Sequence, residues 1–179
     1  MLSNAKIPIC GFVAFSGTGK TTLLEKIIPQ LGQQGVRIGV IKHAHHQFDI
    51  DKEGKDSYRL RQAGAKETLV ASSNRWALVH EHFHNQSDPD LDQLLLHLSQ
   101  DELDLILVEG FKHVPFPRIE LHRPSLGKPL LFPEDDTIIA VASDDTIAIE
   151  TPLPILDLNN PEIIAEFVCN QFLKLKESP

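Results

Sequence analysis

One stretch near the start of the chain constrains its fold more than any other. Ile7-Pro8-Ile9-Cys10-Gly11-Phe12-Val13-Ala14 is an almost continuous apolar run. A run of this kind suits a strand buried on both faces of a parallel sheet. It leads straight into Ser16-Gly17-Thr18-Gly19-Lys20-Thr21-Thr22, after which apolar residues recur at Leu23, Leu24, Ile27, Ile28 and Leu31, the spacing of one helical face. Strand, glycine-bearing turn and helix, with Gly-Lys-Thr at the junction, is the context of a phosphate-binding loop, or P-loop. The first glycine of that signature is replaced by Ala14, a departure that matters only if the position needs a positive φ.

The loop's chemistry follows from its geometry. Gly17 and Gly19 let successive backbone N–H groups turn inward around a phosphate, and the helix start adds the positive end of its dipole. Ser16, Gly17, Thr18, Gly19, Lys20, Thr21 and Thr22 are therefore the expected nucleotide-binding residues. Lys20 supplies a mobile cation to the β- and γ-phosphates, and the Thr21 hydroxyl is placed to ligate Mg²⁺. The bland alternative, a glycine turn with an incidental lysine, leaves the Lys-Thr pair in this context without a reason.

Further along, Val36 to Lys42 reads as a second strand, and Pro29 is expected to kink or loosen the helix that Gly32 and Gly35 end. A short helix through Tyr58 and Leu60 stops near Gly64. Thr68 to Ala71 and Trp76 to Val79 read as a hairpin turned by Ser72-Ser73-Asn74-Arg75. Leu91 to Leu98 is an amphipathic helix, and Leu103 to Val108 is a buried strand ending on Glu109-Gly110. Residues 111–136 form a proline-rich flap with a candidate edge strand at Arg118 to His122. Thr137 to Ala142, Pro154 to Leu156 and a closing helix from Ile163 to Leu175 complete the chain. Strands alternating with helices predict a single three-layer α/β domain over 1–179, a P-loop NTPase fold with a largely parallel sheet and a β-hairpin excursion at 67–82.

Bulk properties narrow the partners. A formal net charge of −8 over 179 residues argues against nucleic acid or an anionic membrane as the main partner. No apolar run reaches membrane-span length, and the start of the chain lacks a leader pattern, so a cytoplasmic location is expected. The two cysteines, Cys10 and Cys169, lie at opposite ends and read as buried thiols.

Three other places carry chemistry. Glu109 ends a buried strand, where an acid beside the P-loop can hold a Mg²⁺ water or orient an attacking water. Lys42 ends the second strand and can neutralise charge near the γ-phosphate. In the polar loop that follows, Asp49 or Asp51 can reach Mg²⁺ through water. His43, His45 and His46 invite a transition-metal reading, but adjacent histidines lack the separated pairs of a structural zinc site. Asp144, after the strand ending at Ala142, can accept from guanine N1–H and N2–H₂, although a turn aspartate is equally common.

Several blocks together carry a family resemblance. Ala14-Phe15-Ser16-Gly17-Thr18-Gly19-Lys20-Thr21-Thr22-Leu23-Leu24, Ile41-Lys42-His43-Ala44-His45-His46 and Gly54-Lys55-Asp56-Ser57-Tyr58 open the pattern. Val70-Ala71-Ser72-Ser73-Asn74-Arg75-Trp76-Ala77-Leu78, Leu103 to His113 and Val141-Ala142-Ser143-Asp144 continue it in order. The chain resembles the molybdopterin-guanine dinucleotide biosynthesis protein B family, which tolerates Ala at the first P-loop position; the match is least clear from Pro124 to Glu134. The resemblance implies a GTP-binding protein with weak GTPase activity and a homodimer. It also implies an adaptor that assists a molybdenum cofactor guanylyltransferase in attaching GMP to molybdopterin. Two readings from other classes compete: a small-molecule kinase, for which Arg118 and Arg123 are the only flap arginines able to form a lid, and a metallochaperone GTPase using His45 and His46. The hairpin around Trp76 leaves open strand edges, which pairing with a second copy covers.

Overall fold

The computed structural model describes residues 2–44, 51–81 and 88–173. Contacts group the chain into two compact units, Met1–His43 with Asp90–Pro179, and Ala44–Pro89. The second unit is thus larger than the expected hairpin excursion, taking in the chain before it and one helix.

The first unit is built around β1 (Ile9–Val13), buried along its whole length. It continues with α1 (Lys20–Gln33) and β2 (Ile38–Lys42). The second unit supplies α2 (Asp56–Gln62), β3 (Glu67–Ala71) and β4 (Trp76–His80). The first then resumes with α3 (Leu91–Leu94), β5 (Leu105–Glu109), β6 (Arg118–His122), β7 (Ile138–Ser143), β8 (Ile155–Asp157) and α4 (Pro161–Phe172). Its six strands run in the order β2-β5-β1-β6-β7-β8, and every pairing among them is parallel.

The period of two along each strand sorts the core into two sides. Cys10, Phe12, Leu105, Leu107, Ile119, Leu121, Ala140 and Ala142 pack with Leu23, Leu24, Ile27 and Leu31 of α1 and Ile164, Ala165 and Val168 of α4. Ile9, Ile41, Ile106 and Val108 pack instead with Leu91, Leu95, Phe111 and Phe116. Helices on both faces of a parallel sheet make the three-layer α/β arrangement. Both cysteines are buried free thiols, and burial pushes each thiol above its ordinary pKa.

Local differences from the sequence reading have physical causes. α1 continues past Pro29 to Gln33 and closes at Gly35, whose φ of 82° lets Val36 N–H return to the Leu31 carbonyl at 3.1 Å. The expected helix Leu91–Leu98 is one α-turn, capped by the Asp90 carboxylate on Asp92 N–H at 2.9 Å, followed by a 3₁₀ turn over Leu95–His97. β6, expected at an edge, lies inside the sheet between β1 and β7. Its polar residues resemble a solvated face in sequence, yet Arg118 and Glu120 are buried with their polar atoms largely satisfied. Arg118 donates to the carbonyls of Phe111, Lys112 and Val114 and to Asp135. Glu120 accepts from the N–H groups of Leu131 and Phe132 at 2.8 and 2.9 Å. Burial pushes the Glu120 carboxyl above its usual range despite those two donors. These bonds tie much of the proline-rich segment to the sheet.

In the second unit β3 and β4 pair antiparallel, Leu69 opposite Leu78 and Ala71 opposite Trp76. The turn is closed by Ser72, whose N–H donates to Arg75 O at 2.8 Å while its hydroxyl accepts from Asn74 and Arg75 N–H at 3.3 Å. Arg61 of α2 is buried and pairs with Asp51 at 3.1 Å and with Glu81.

A β-carbon at Gly11 would lie 2.5 Å from Phe116 Cε2 and 2.8 Å from Arg118 Cγ. Gly11→Ala is therefore expected to cost about 1–3 kcal/mol by overpacking the sheet beside β6. A urea midpoint equal to that of the wild type would contradict this close approach.

Candidate functional site

The chain leaves β1 and turns through Ala14–Gly19 before entering α1. Gly17 and Gly19 hold φ of 84° and 97°, values that glycine adopts without strain. Gly19 is the N-cap residue and brings no side-chain cap. The first N–H groups of α1 thus keep no side-chain acceptor of their own. Thr18 is buried, and its N–H and hydroxyl both turn onto Phe15 O at 3.3 and 2.9 Å. Its hydroxyl thus closes the loop onto itself. Ser16, Gly17, Thr21 and Thr22 are exposed on the loop and the start of the helix.

Strand register brings the acid to the loop. Glu109 at the end of β5 sits opposite Phe12 of β1 on one side and opposite Lys42 of β2 on the other. Its carboxylate lies between two ammonium groups, Lys20 Nζ at 3.4 Å from Oε1 and Lys42 Nζ at 3.5 Å from Oε2. The Lys20 and Glu109 side chains are 21% and 15% exposed, so this pair is only weakly screened. Two cations on one carboxylate leave a net positive charge beside the loop. That arrangement favours an anion richer in charge than a carboxylate.

The exit from β5 is conformationally costly. Gly110 has φ 96° and Phe111 has φ 54°, the one positive φ outside glycine among the described residues. Such a backbone costs on the order of 1–3 kcal/mol and persists only when its surroundings hold it. Here the holders are visible. Phe111 is buried in the second core and its carbonyl accepts from Arg118 at 2.9 Å. His43 N–H bonds Glu109 O at 2.8 Å, and the His43 and Phe111 rings lie 4.9 Å apart. Gly110 is required there, because a β-carbon would sit 2.6 Å from His43 Cβ.

Away from Glu109, a cleft of about 240 Å³ runs alongside the loop, lined in part by Gly17, Thr22, Lys26, Arg123, Leu158 and Asn159. Arg123 follows β6. Its Nε donates to Thr18 O at 2.8 Å and its Nη1 pairs with Asp144 Oδ2. Asp144 thus follows β7 and holds an arginine, while its Oδ1 is buried with no hydrogen-bond partner among the described residues.

The structure brings Lys20, Lys42 and Glu109 into one cluster, and joins Thr18 and Asp144 through Arg123. Asp51, a candidate for Mg²⁺, is instead engaged by Ser57 at 3.2 Å and by Arg61. Asp49, His45 and His46 lie outside the described residues. Among the described residues no group of three His, Cys, Asp or Glu side chains gathers as a metal site. In sequence, Arg118 and Arg123 stand out only as the flap arginines a kinase lid would use. Arg118 is a buried support of the Glu109 exit, and Arg123 lies under the P-loop. No local spacing signals the second contact, since 105 residues separate Arg123 from Thr18.

Fold and site together define a P-loop α/β protein with an acidic strand end beside the loop. The sequence profile of the family described as molybdopterin guanine dinucleotide synthesis protein B matches residues 9–144, and the chain belongs to that family. It is 48% identical to the molybdopterin-guanine dinucleotide biosynthesis adapter protein of Escherichia coli, over 94% of this chain and 95% of that protein. It is 44% identical to the Haemophilus influenzae protein of the same description, over 93% and 90%. The crystal structure of Bacillus subtilis MobB superposes with a TM-score of 0.71 at 28% identity, covering 94% of this chain and 99% of that one.

Glu109 holds two ammonium groups that a phosphate would otherwise meet. Glu109→Gln is expected to raise affinity for pyrophosphate, measured without divalent cations, by about twofold to tenfold. Unchanged or weaker binding would contradict this account of the cluster.

Proposed function

We propose that this chain is a cytoplasmic, Mg²⁺-dependent GTP-binding adapter of molybdopterin guanine dinucleotide biosynthesis with weak GTPase activity. The observation that carries the nucleotide part is the Lys20–Glu109–Lys42 cluster at the mouth of the loop. The adapter part rests on membership of the family and on the printed descriptions of the Escherichia coli and Haemophilus influenzae relatives.

In this reading the backbone of residues 16–20 cradles the β-phosphate, and Lys20 leaves Glu109 for the phosphate oxygens. Thr22 takes the α-phosphate, and the cleft beside Leu158 and Asn159 receives the nucleoside. The Thr21 hydroxyl and Glu109 fit a hard cation, being oxygen donors at the loop's mouth, and are the residues that would hold Mg²⁺. Bound there, Mg²⁺ would offset phosphate charge. Lys42 neutralises charge at the γ-phosphate, and Glu109 orients a water for a slow hydrolysis. The role of Asp49 through water rests on the sequence alone. Guanine preference is assigned to Asp144, whose Oδ1 is the carboxylate oxygen that Arg123 leaves without a partner among the described residues.

The partners proposed are GTP, a molybdenum cofactor guanylyltransferase and molybdopterin, with a homodimer formed through the hairpin. Leu69, Leu78, Trp76 and Ala71 share one face of β3–β4 and are exposed, Trp76 by 64%. An open two-stranded sheet with an apolar exposed face is marginal in water, and a second copy covers both edge and face.

Lys20→Ala is expected to weaken Mg²⁺–GTP binding by about tenfold to a hundredfold in calorimetry while the melting temperature stays close to that of the wild type. Undiminished affinity in a folded variant would sink the nucleotide reading. For the dimer, the wild type is expected to sediment as a dimer at micromolar concentration and Trp76→Asp with Leu78→Lys as a monomer. A monomeric wild type, or a variant that stays dimeric, would remove the hairpin from the interface.

A further inference from the structure

The proposal concerns Arg123, and it rests on the nucleotide reading above. The Arg123 guanidinium makes two contacts that point in different directions. Nε donates to the main-chain carbonyl of Thr18, a P-loop residue, at 2.8 Å, and Nη1 is held by Asp144 Oδ2. Nη2 takes no hydrogen bond or ion pair among the described residues and lies 3.7 Å from where a β-carbon of Gly19 would be. The guanidinium thus lies beside the Thr18–Gly19 peptide, with side-chain exposures of 31% for Arg123 and 21% for Asp144.

Pinning that carbonyl has a consequence. The peptide bond is planar and trans, and no cis peptide occurs among the described residues. The Thr18 C=O and the Gly19 N–H are therefore antiparallel across one rigid unit. With the carbonyl committed to Arg123, the Gly19 N–H is turned to the opposite side of that peptide, away from the carbonyl's partner. Gly19 at φ 97° and Thr18, closed onto Phe15 O through both N–H and hydroxyl, fix the peptide on either side. A peptide flip would otherwise cost little in a glycine-flanked loop.

We propose that Arg123 is a positioning residue for the phosphate-binding loop, holding the Thr18–Gly19 peptide so that the Gly19 N–H faces the bound polyphosphate, with Asp144 holding Arg123 in place. The pair acts on polyphosphate itself, whatever base is attached. It also links the ends of β6 and β7 to the loop after β1, so that a change at either strand end reaches the phosphate site.

The test measures binding of inorganic tripolyphosphate and of GTP, each with Mg²⁺, to the full-length wild type, Arg123→Ala, Arg123→Lys and Asp144→Asn. Loss of one charged hydrogen bond to the loop predicts that Arg123→Ala weakens both ligands by a common factor of about tenfold or more. Guanidinium ion at millimolar concentration is expected to restore part of that loss, and Arg123→Lys to fall between. Asp144→Asn is expected to weaken tripolyphosphate as well as GTP, which a purely base-reading carboxylate would not do. In ¹⁵N-glycine-labelled protein, the Gly19 amide is expected to shift on adding tripolyphosphate to the wild type, and to shift less in Arg123→Lys, a readout that does not depend on overall stability. Unchanged tripolyphosphate affinity in folded Arg123→Ala overturns the proposal, as does a loss confined to GTP or a full Gly19 response in Arg123→Lys. A wild type that binds neither ligand would instead overturn the nucleotide reading itself.

Discussion

The parallel pairing of β1 on both its edges is the constraint from which the rest of the site follows. A strand bonded to β5 on one side and to β6 on the other has no freedom in register. A slip of one residue would turn Cys10 and Phe12 out of the core they share with α1. Because all six strands run the same way, their carboxyl ends fall on one edge of the sheet, where ligands of open α/β sheets bind. Lys42, Glu109, Arg123 and Asp144 are each at or just beyond such an end. Apolar burial thus sets the geometry of a polar site whose members are spread over more than a hundred residues.

Electrostatics then separates the site into two parts. On one side Glu109 neutralises part of the charge of the half-buried Lys20 and the exposed Lys42, which keeps the two ammonium groups from repelling each other without a ligand. On the other side Arg123 is neutralised by Asp144 and spends a donor on a loop carbonyl. Both sides meet the same loop, one through side chains and one through the backbone. The strained exit at Gly110–Phe111 belongs to this arrangement. It carries the chain sharply away from Glu109, and the cost is offset by the burial of Phe111 and by the Arg118 bonds.

Much of this was legible in the sequence because the signals were local. The apolar run into Gly17-Thr18-Gly19-Lys20-Thr21, the acid closing a buried strand and the Ser72 turn each announce themselves within a few residues. What escaped depended on partners distant in the chain. Arg118 and Glu120 look solvated until the carbonyls and amides that satisfy them are known, so β6 read as an edge when it is interior. Asp51 looks like a free carboxylate until Arg61 is folded against it. Arg123 carried no local signal at all.

The most direct test of the central claim is a crystal structure of the protein with Mg²⁺ and a non-hydrolysable GTP analogue. The account predicts the β-phosphate within the amides of residues 16–20, and Lys20 Nζ moved from Glu109 to the phosphate oxygens. A nucleotide seated elsewhere, or a loop that stays empty at saturating analogue with Lys20 still on Glu109, would contradict it.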